Sequence, residues 1–233
     1  MYYNFNFARD FGEDLENSCL VYLHPQRTGG TKLKSQLYTW FGRESCYTQQ
    51  TVKDGFKDWK YIEEDDLSGV TVYAHHSDFW KKNFGIKCYY MATVRHPVYR
   101  LFSFYNYCKS KEGHPLREMA NGLTPEEFLI EAEKVQPKSI RDFQTLRLSR
   151  KRDASKAISN IENYIVGVSE TDKLSEFSNM LSTTLDLPGV VVDPVEKDCN
   201  IYKGRVSDQF VNLALDFNNE DLKLFEWVEG GKK

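Results

Sequence analysis

The stretch from Cys19 to Gly42 constrains this chain most. Cys19-Leu-Val-Tyr-Leu23 is a short continuous apolar run, the pattern of a parallel strand buried on both faces. A loop containing Pro25, Gly29 and Gly30 follows it. Leu33, Leu37 and Phe41 then recur at four-residue spacing, which predicts a helix from about Thr31 to Phe41, ended by Gly42. Strand, glycine loop and helix in that order build a backbone that can hold an anion. The first amides of a helix have no partner within it, the helix dipole is positive there, and glycine lets the backbone approach closely.

The same alternation continues along the chain. Val70–Ala74, Cys88–Val94, Tyr164–Val168 and Val190–Val192 read as further short strands. Pro97 suits the first turn of a helix whose apolar face is Leu101, Phe102 and Tyr105. Thr124-Pro-Glu-Glu127 is a helix start with a Thr cap and a Glu three residues on. Leu174, Phe177, Leu181 and Leu185 mark a later helix, and two more are opened by Ser207 and Asn219. Residues 43–69 read as polar and irregular, and residues 109–123 as a surface loop. The pattern predicts a three-layer α/β fold, a central parallel sheet flanked by helices. One domain over residues 1–233 is expected, with an N-terminal arm at 1–17 and a core at about 18–229.

Composition narrows the function. The net charge of −3 lacks the basic excess of a general nucleic-acid binder, so no nucleic-acid partner is expected. Five cysteines, an odd number with no CxxC pair, fit scattered thiols in a reducing compartment, not a zinc site or a disulfide framework. No run approaches the roughly 18 apolar residues of a membrane span, and Met1–Asp10 lacks the pattern of a signal peptide. A cytoplasmic protein with no membrane partner is the expectation.

Three groups of residues carry chemistry. Arg27, Thr28, Thr31 and Lys32 add side-chain donors to the amides around Gly29 and Gly30. The loop is not G-x-x-x-x-G-K-[ST], so Mg²⁺-dependent nucleotide hydrolysis has no support from it. Arg95 ends an apolar strand, where ligands of open α/β sheets collect and where a phosphate-binding guanidinium is expected. His75 and His76 follow another strand, and imidazole is the side chain best suited to take a proton near neutral pH. No metal-ligand cluster is evident, and no metal is expected.

Val21-Tyr-Leu-His-Pro-Gln-Arg-Thr-Gly-Gly-Thr31 resembles the 5′-phosphosulfate loop, I-P-K-T-G-G-T, of sulfotransferases that use 3′-phosphoadenosine 5′-phosphosulfate (PAPS). The likeness is to the group of the heparan sulfate 2-O- and 6-O-sulfotransferases and their bacterial relatives. Arg27 stands where that family has a Lys that touches the leaving oxygen. Thr93-Val-Arg-His-Pro-Val-Tyr-Arg-Leu-Phe-Ser-Phe-Tyr105 resembles the family's 3′-phosphate motif R-D-P-x-x-R-x-x-S-x-Y, with His96 in place of Asp. His76-Ser-Asp-Phe79 resembles an H-A-D-W stretch, and Ala74-His75 resembles a G-H start. Weaker likenesses are Asp142–Ser149 to N-x-Q-T-R-x-L-S, with the family's Arg shifted to Arg147, Tyr164–Glu170 to a late V-G-x-x-E strand, and Asp221–Phe225 to a D-x-x-L-[YF] ending.

The resemblance implies a P-loop-type fold and transfer of a sulfuryl group from PAPS to a hydroxyl or amine of a small-molecule or sugar acceptor, without metal. It implies that Arg27, Thr28, Gly29, Gly30, Thr31 and Lys32 hold the 5′ end, and that Arg95 and Ser103 hold the 3′ phosphate. Arg100 is expected to be structural, and Lys203 and Arg205 are candidates to close over the nucleotide. His76, or His75 one residue earlier, would be the base, with Asp78 as a possible orienting group. The alternatives are a P-loop kinase of a small molecule and a non-catalytic nucleotide-binding protein.

Overall fold

The structure, a computed structural model, describes residues 1–3, 10, 14, 17–52, 54–189, 202 and 204–231. In chain order the elements are β1 (Tyr2–Tyr3), β2 (Ser18–Leu23), α1 (Gly30–Phe41), β3 (Cys46–Tyr47), β4 (Val72–His75), β5 (Lys87–Val94), α2 (Pro97–Ser110), α3 (Arg117–Gly122), α4 (Pro125–Val135) and α5 (Pro137–Ile140). Then follow α6 (Phe143–Ser149), α7 (Ala154–Tyr164), β6 (Ile165–Glu170), α8 (Leu174–Thr184), α9 (Asp208–Asp216) and α10 (Asn219–Gly230).

The strands form one six-stranded sheet in the order β1-β6-β5-β2-β4-β3. β2 pairs in parallel with both β4 and β5, β3 with β4, and β5 with β6. The sheet is α/β and mostly parallel, as the alternation predicts. It is mixed at one edge, where Tyr2 and Tyr3 run antiparallel to β6 opposite Val168 and Gly167. Two residues are too few to carry a period-two signal, so the pairing is invisible in the arm. The Val190–Val192 strand lies outside the described residues.

Alternation along the strands divides the core. Cys19, Val21 and Leu23 point to a cluster that includes Ile161 of α7 and Leu224 and Val228 of α10. Leu20 and Tyr22 point the other way, to Leu33 and Leu37 of α1 and Leu174, Phe177 and Leu181 of α8. Each such side chain stabilises the fold by about 1.5–3 kcal/mol, which is why β2 is apolar from Cys19 to Leu23. A third cluster joins α2, α3, α4, α5 and α9 through Leu101, Phe104, Ala120, Phe128, Ile140 and Phe210.

The helix signals hold where capping chemistry is local. Thr124 and Glu127 form the reciprocal capping box of α4, and the Ser207 hydroxyl accepts from the Phe210 amide to start α9. Gly42 ends α1 at φ 79°, where a side chain would be strained. Residues 109–123 are not wholly loop, because α2 runs to Ser110 and α3 forms at Arg117–Gly122, burying Ala120. Likewise β3 emerges from the segment read as irregular, supported by its pairing with β4.

After β2 the chain passes through α1 to β3 and β4 on one side, then crosses to β5 and β6 on the other. The carboxyl end of β2 is therefore the point where strand order reverses, the usual place for a ligand crevice. Residues 24–30, His75–His76 and Arg95 all leave the sheet at this end.

Candidate functional site

The loop after β2 is built to expose amides. Its cap residue, Gly29, sits at φ 84° and has no side chain to bond the first turn of α1. A Cβ on Gly29 would come to 2.5 Å from Leu174 Cδ1, and one on Gly30 would run into the His24 imidazole. Neither glycine has room for a side chain. Thr28 does not reach outward. Its buried hydroxyl donates to the Pro25 carbonyl at 2.7 Å and lies 2.9 Å from Thr93 Oγ1, which lies 3.0 Å from the Tyr22 hydroxyl. Thr28 is thus the anchor of the loop, and its side chain offers nothing to a ligand in the cleft.

Arg27 occupies a left-handed conformation, φ 70°, which costs an ordinary side chain about 1–2 kcal/mol. Its Nε donates to Ser103 Oγ at 3.1 Å, and its guanidinium lies over the Tyr107 ring, 4.9 Å from the centroid. Ser103 and Tyr107 are four residues apart on α2, so one helix face orients this cation. Ser103 is buried behind Arg27, not on the cleft wall.

Arg95 is held at its backbone by Gln144. The Arg95 amide donates to Gln144 Oε1 at 2.7 Å, and Gln144 Nε2 returns a bond to the Arg95 carbonyl at 2.8 Å. Gln144 is itself fixed by Asp221, which accepts from the Gln144 amide at 3.0 Å and from the Thr145 amide and hydroxyl, each at 2.7 Å. All three of these side chains are fully buried, where an unmade bond costs about 1–3 kcal/mol. The Arg95 guanidinium donates to the Arg27 carbonyl at 3.1 Å and to the Tyr202 hydroxyl at 3.2 Å. Two guanidinium groups are thereby kept close, and burial and then the Arg95 charge both push the Arg27 pKa down. Arg100 is buried and bonds the Ser139 and Ile140 carbonyls, the structural role expected of it.

Three imidazoles face the cleft. His76 Nδ1 lies 2.8 Å from the His24 carbonyl. A carbonyl only accepts, so Nδ1 carries the proton and the lone pair of neutral His76 is on Nε2. The His24 ring packs edge to face on His76 at 4.3 Å and stacks on Tyr22 at 4.7 Å. Burial pushes the His76 pKa below its ordinary value of 6.5, opposed by the His24 carbonyl and helped by the charges of Arg147, Lys34 and Arg27. His75 is pushed further, to about 4, by burial and then by His76. Burial, followed by the neighbouring charge at His76, also keeps His24 well below its usual range. Asp78 does not orient either ring. It is paired with Arg147 at 2.5 Å, and the group that fixes His76 is the backbone of residue 24.

Together these residues enclose a cleft of about 380 Å³. It is lined by four cations, Arg27, Lys32, Lys34 and Arg95, by the three histidines, and by no carboxylate among the described residues. In a protein of net charge −3, that local excess of positive charge favours an anion. Gly29, Gly30, Thr31, His75 and His76 also reach the cleft. Arg205 is exposed and outside it, and Lys203 lies outside the described residues. Lys34 is absent from the residues picked out by motif, and His24 and Gln144 lie within the matched stretches Val21–Thr31 and Asp142–Ser149 with no role assigned to them. His24 reads as one more loop residue, and the partner of Gln144 is 49 positions away in the chain. Lys34 carries a positional signal, standing one helical turn after Gly30. Among the described residues, no group of three or more His, Cys, Asp or Glu is placed to hold a metal ion. No helix among them is long and apolar enough to cross a membrane.

No protein-family model matches this chain, and no curated protein matches it in sequence.

Proposed function

We propose that this chain is a sulfotransferase that moves the sulfuryl group of PAPS to a hydroxyl or amine of a small-molecule or carbohydrate acceptor and releases PAP. The observation that carries this reading is the joining of Arg27 and Arg95 through the Arg27 carbonyl beside the open first turn of α1. One cationic group beside open amides suits a single phosphate. Two groups from different strands suit a nucleotide with anions at both ends. The three-layer arrangement is read as the P-loop type, and a cytoplasmic location goes with the same proposal.

Bound PAPS would supply a sulfuryl group whose S–O bond to the 5′ phosphate breaks as an S–O bond to an acceptor hydroxyl, or an S–N bond to an acceptor amine, forms. The residues fit that group: the amides at Gly29–Thr31 with Arg27 and Lys32 meet the 5′ end, and Arg95 meets the 3′ phosphate. Arg27 stabilises the charge that builds on the leaving phosphate, as positioned cations do in phosphoryl transfer. His76 takes the acceptor proton at Nε2, because its Nδ1–H is committed to the His24 carbonyl. His75 is the weaker base, held to a pKa of about 4 and packed against Phe56 at 4.6 Å.

The test is turnover of labelled PAPS over an acceptor panel with the wild type and His76→Ala. The expected result is transfer that falls by roughly 10²–10⁴ in the variant, with PAP affinity unchanged. Full turnover by the variant removes His76 from the base role. PAP binding without transfer to any acceptor leaves a nucleotide-binding protein that is not an enzyme.

A further inference from the structure

The transfer chemistry leaves a second cationic group unused. Lys34 lines the cleft beside His75, His76, Gln49 and Gln50. Its Nζ donates to Gln50 Oε1 at 2.5 Å, and the Tyr38 hydroxyl donates to the same oxygen at 3.2 Å. Arg43, just beyond the end of α1, reaches the Gln50 carbonyl from Nη2 at 3.4 Å and lies over the Tyr38 ring, 5.4 Å from its centroid. Gln50 therefore sits between two cations. Among the described residues, no carboxylate pairs with either of them, although nine ion pairs form elsewhere among those residues.

This group lies at the histidine end of the cleft. The Lys34 charge acts on all three imidazoles, His24, His75 and His76, whereas Arg27 acts on His76 less than Lys34 does, and Arg95 acts on Arg27. An acceptor that presents its proton to His76 Nε2 must lie at the histidine end of the cleft, with its hydroxyl or amine turned toward the loop that holds the sulfuryl group. Lys34 offers it a compact single charge, and the amides of Gln49 and Gln50 offer N–H donors beside that charge. A neutral acceptor would desolvate Lys34 and give it no counter-charge, the arrangement that makes a polar site reject a ligand lacking the matching group.

We propose that the acceptor carries a carboxylate, held between Lys34 and the Gln49–Gln50 amides while its hydroxyl or amine faces His76. The second half of this statement rests on the sulfotransferase reading, and the first half does not. A sulfate ester shares the single negative charge, so the test must separate the two.

Gluconate, its neutral counterpart sorbitol, and glucose 6-sulfate are titrated into the full chain by saturation-transfer NMR, with Lys34→Met and Lys34→Arg alongside. PAP affinity and the thermal midpoint are measured on the same samples. The expected result is that gluconate binds at least tenfold more tightly than sorbitol. Lys34→Met erases that preference, Lys34→Arg restores most of it, and PAP affinity and the midpoint do not move. Equal binding of gluconate and sorbitol overturns the proposal, as does a preference that survives Lys34→Met. A tenfold loss of PAP affinity in Lys34→Met overturns it by placing Lys34 at the cofactor end. Tighter binding of glucose 6-sulfate than of gluconate overturns the carboxylate in favour of a sulfate ester. A Lys34-dependent gluconate preference in a chain that does not bind PAP sustains the carboxylate site and sinks the sulfotransferase reading.

Discussion

The Arg95 guanidinium donates to the Arg27 carbonyl at 3.1 Å, tying the end of β5 to the loop after β2. That bond, with the Gln144 clamp on the Arg95 backbone, sets the two cations side by side at the cleft. The loop amides of α1 complete it. Preorganisation of this kind is what makes charge stabilisation effective, because nothing has to reorient when a ligand arrives.

Arg27 is held where its backbone favours glycine, φ 70°. In Arg27→Gly the relief of about 1–2 kcal/mol of strain is offset by glycine's greater unfolded-state freedom, about 0.5–1 kcal/mol, and by the lost Ser103 contact. Stability by urea titration is expected to stay within about 1 kcal/mol of the wild type. PAP affinity is expected to fall tenfold or more. A stability loss above about 3 kcal/mol would make Arg27 a structural residue, since that exceeds what one surface-accessible side chain normally contributes.

Gly30→Ala drives a methyl into the buried His24 ring. Overpacking typically costs about 1–3 kcal/mol, and here it also pushes on the ring that packs against His76. The expected outcome is a lower thermal midpoint together with weaker PAP binding. An unchanged midpoint would show that His24 has room to move.

Gln144→Leu leaves the Arg95 amide, the Arg95 carbonyl and one oxygen of buried Asp221 short of a partner. Each unmade bond costs about 1–3 kcal/mol, so severe destabilisation is expected. A milder loss, below about 1 kcal/mol, would mean that the clamp on Arg95 is not formed.

The histidine cluster sets the acid limit. His24, His75 and His76 have folded pKa values below the ordinary 6.5, through burial first and then, for His24 and His75, the charge of His76. The unfolded chain therefore binds more protons in this range, and stability rises with pH. Stabilisation by the neutral rings is present above pH 6.5 and is lost as pH falls through the folded values, down to about 4 for His75. His24→Phe is expected to flatten the dependence of urea-unfolding free energy on pH over that window. A slope identical to wild type would show that His24 does not titrate with folding.

Arg147 pushes His76 in the same direction as burial does. Arg147→Gln removes that charge and frees Asp78, so the His76 pKa is expected to rise. Followed by NMR titration of the ring protons, the midpoint should move toward 6.5. A downward shift would contradict the electrostatic account.

The parts legible in the sequence are those with local causes. The apolar run of β2, the glycines of the loop, Arg95 at a strand end and the Thr124 capping box each depend on neighbours a few residues away. What was not legible depends on distance in the chain. β1 and β3 have two residues each and exist through their pairing partners. The site has the same divide. Gly29 and Gly30 declare themselves, while the outward look of Thr28 is misleading because Thr93, across the sheet, captures its hydroxyl. Gln144 and the carbonyl of His24 act on Arg95 and His76, 49 and 52 positions away in the chain, so no local pattern joins them.

The central claim is that the cleft reads a nucleotide with anions at both ends. Calorimetric titration with PAP and with 5′-AMP, without metal, isolates the 3′ phosphate. The account expects PAP to bind at least tenfold more tightly than 5′-AMP, and Arg95→Gln to abolish the difference. Equal affinity for the two nucleotides, or tighter binding of ATP with Mg²⁺ than of PAP, would contradict it.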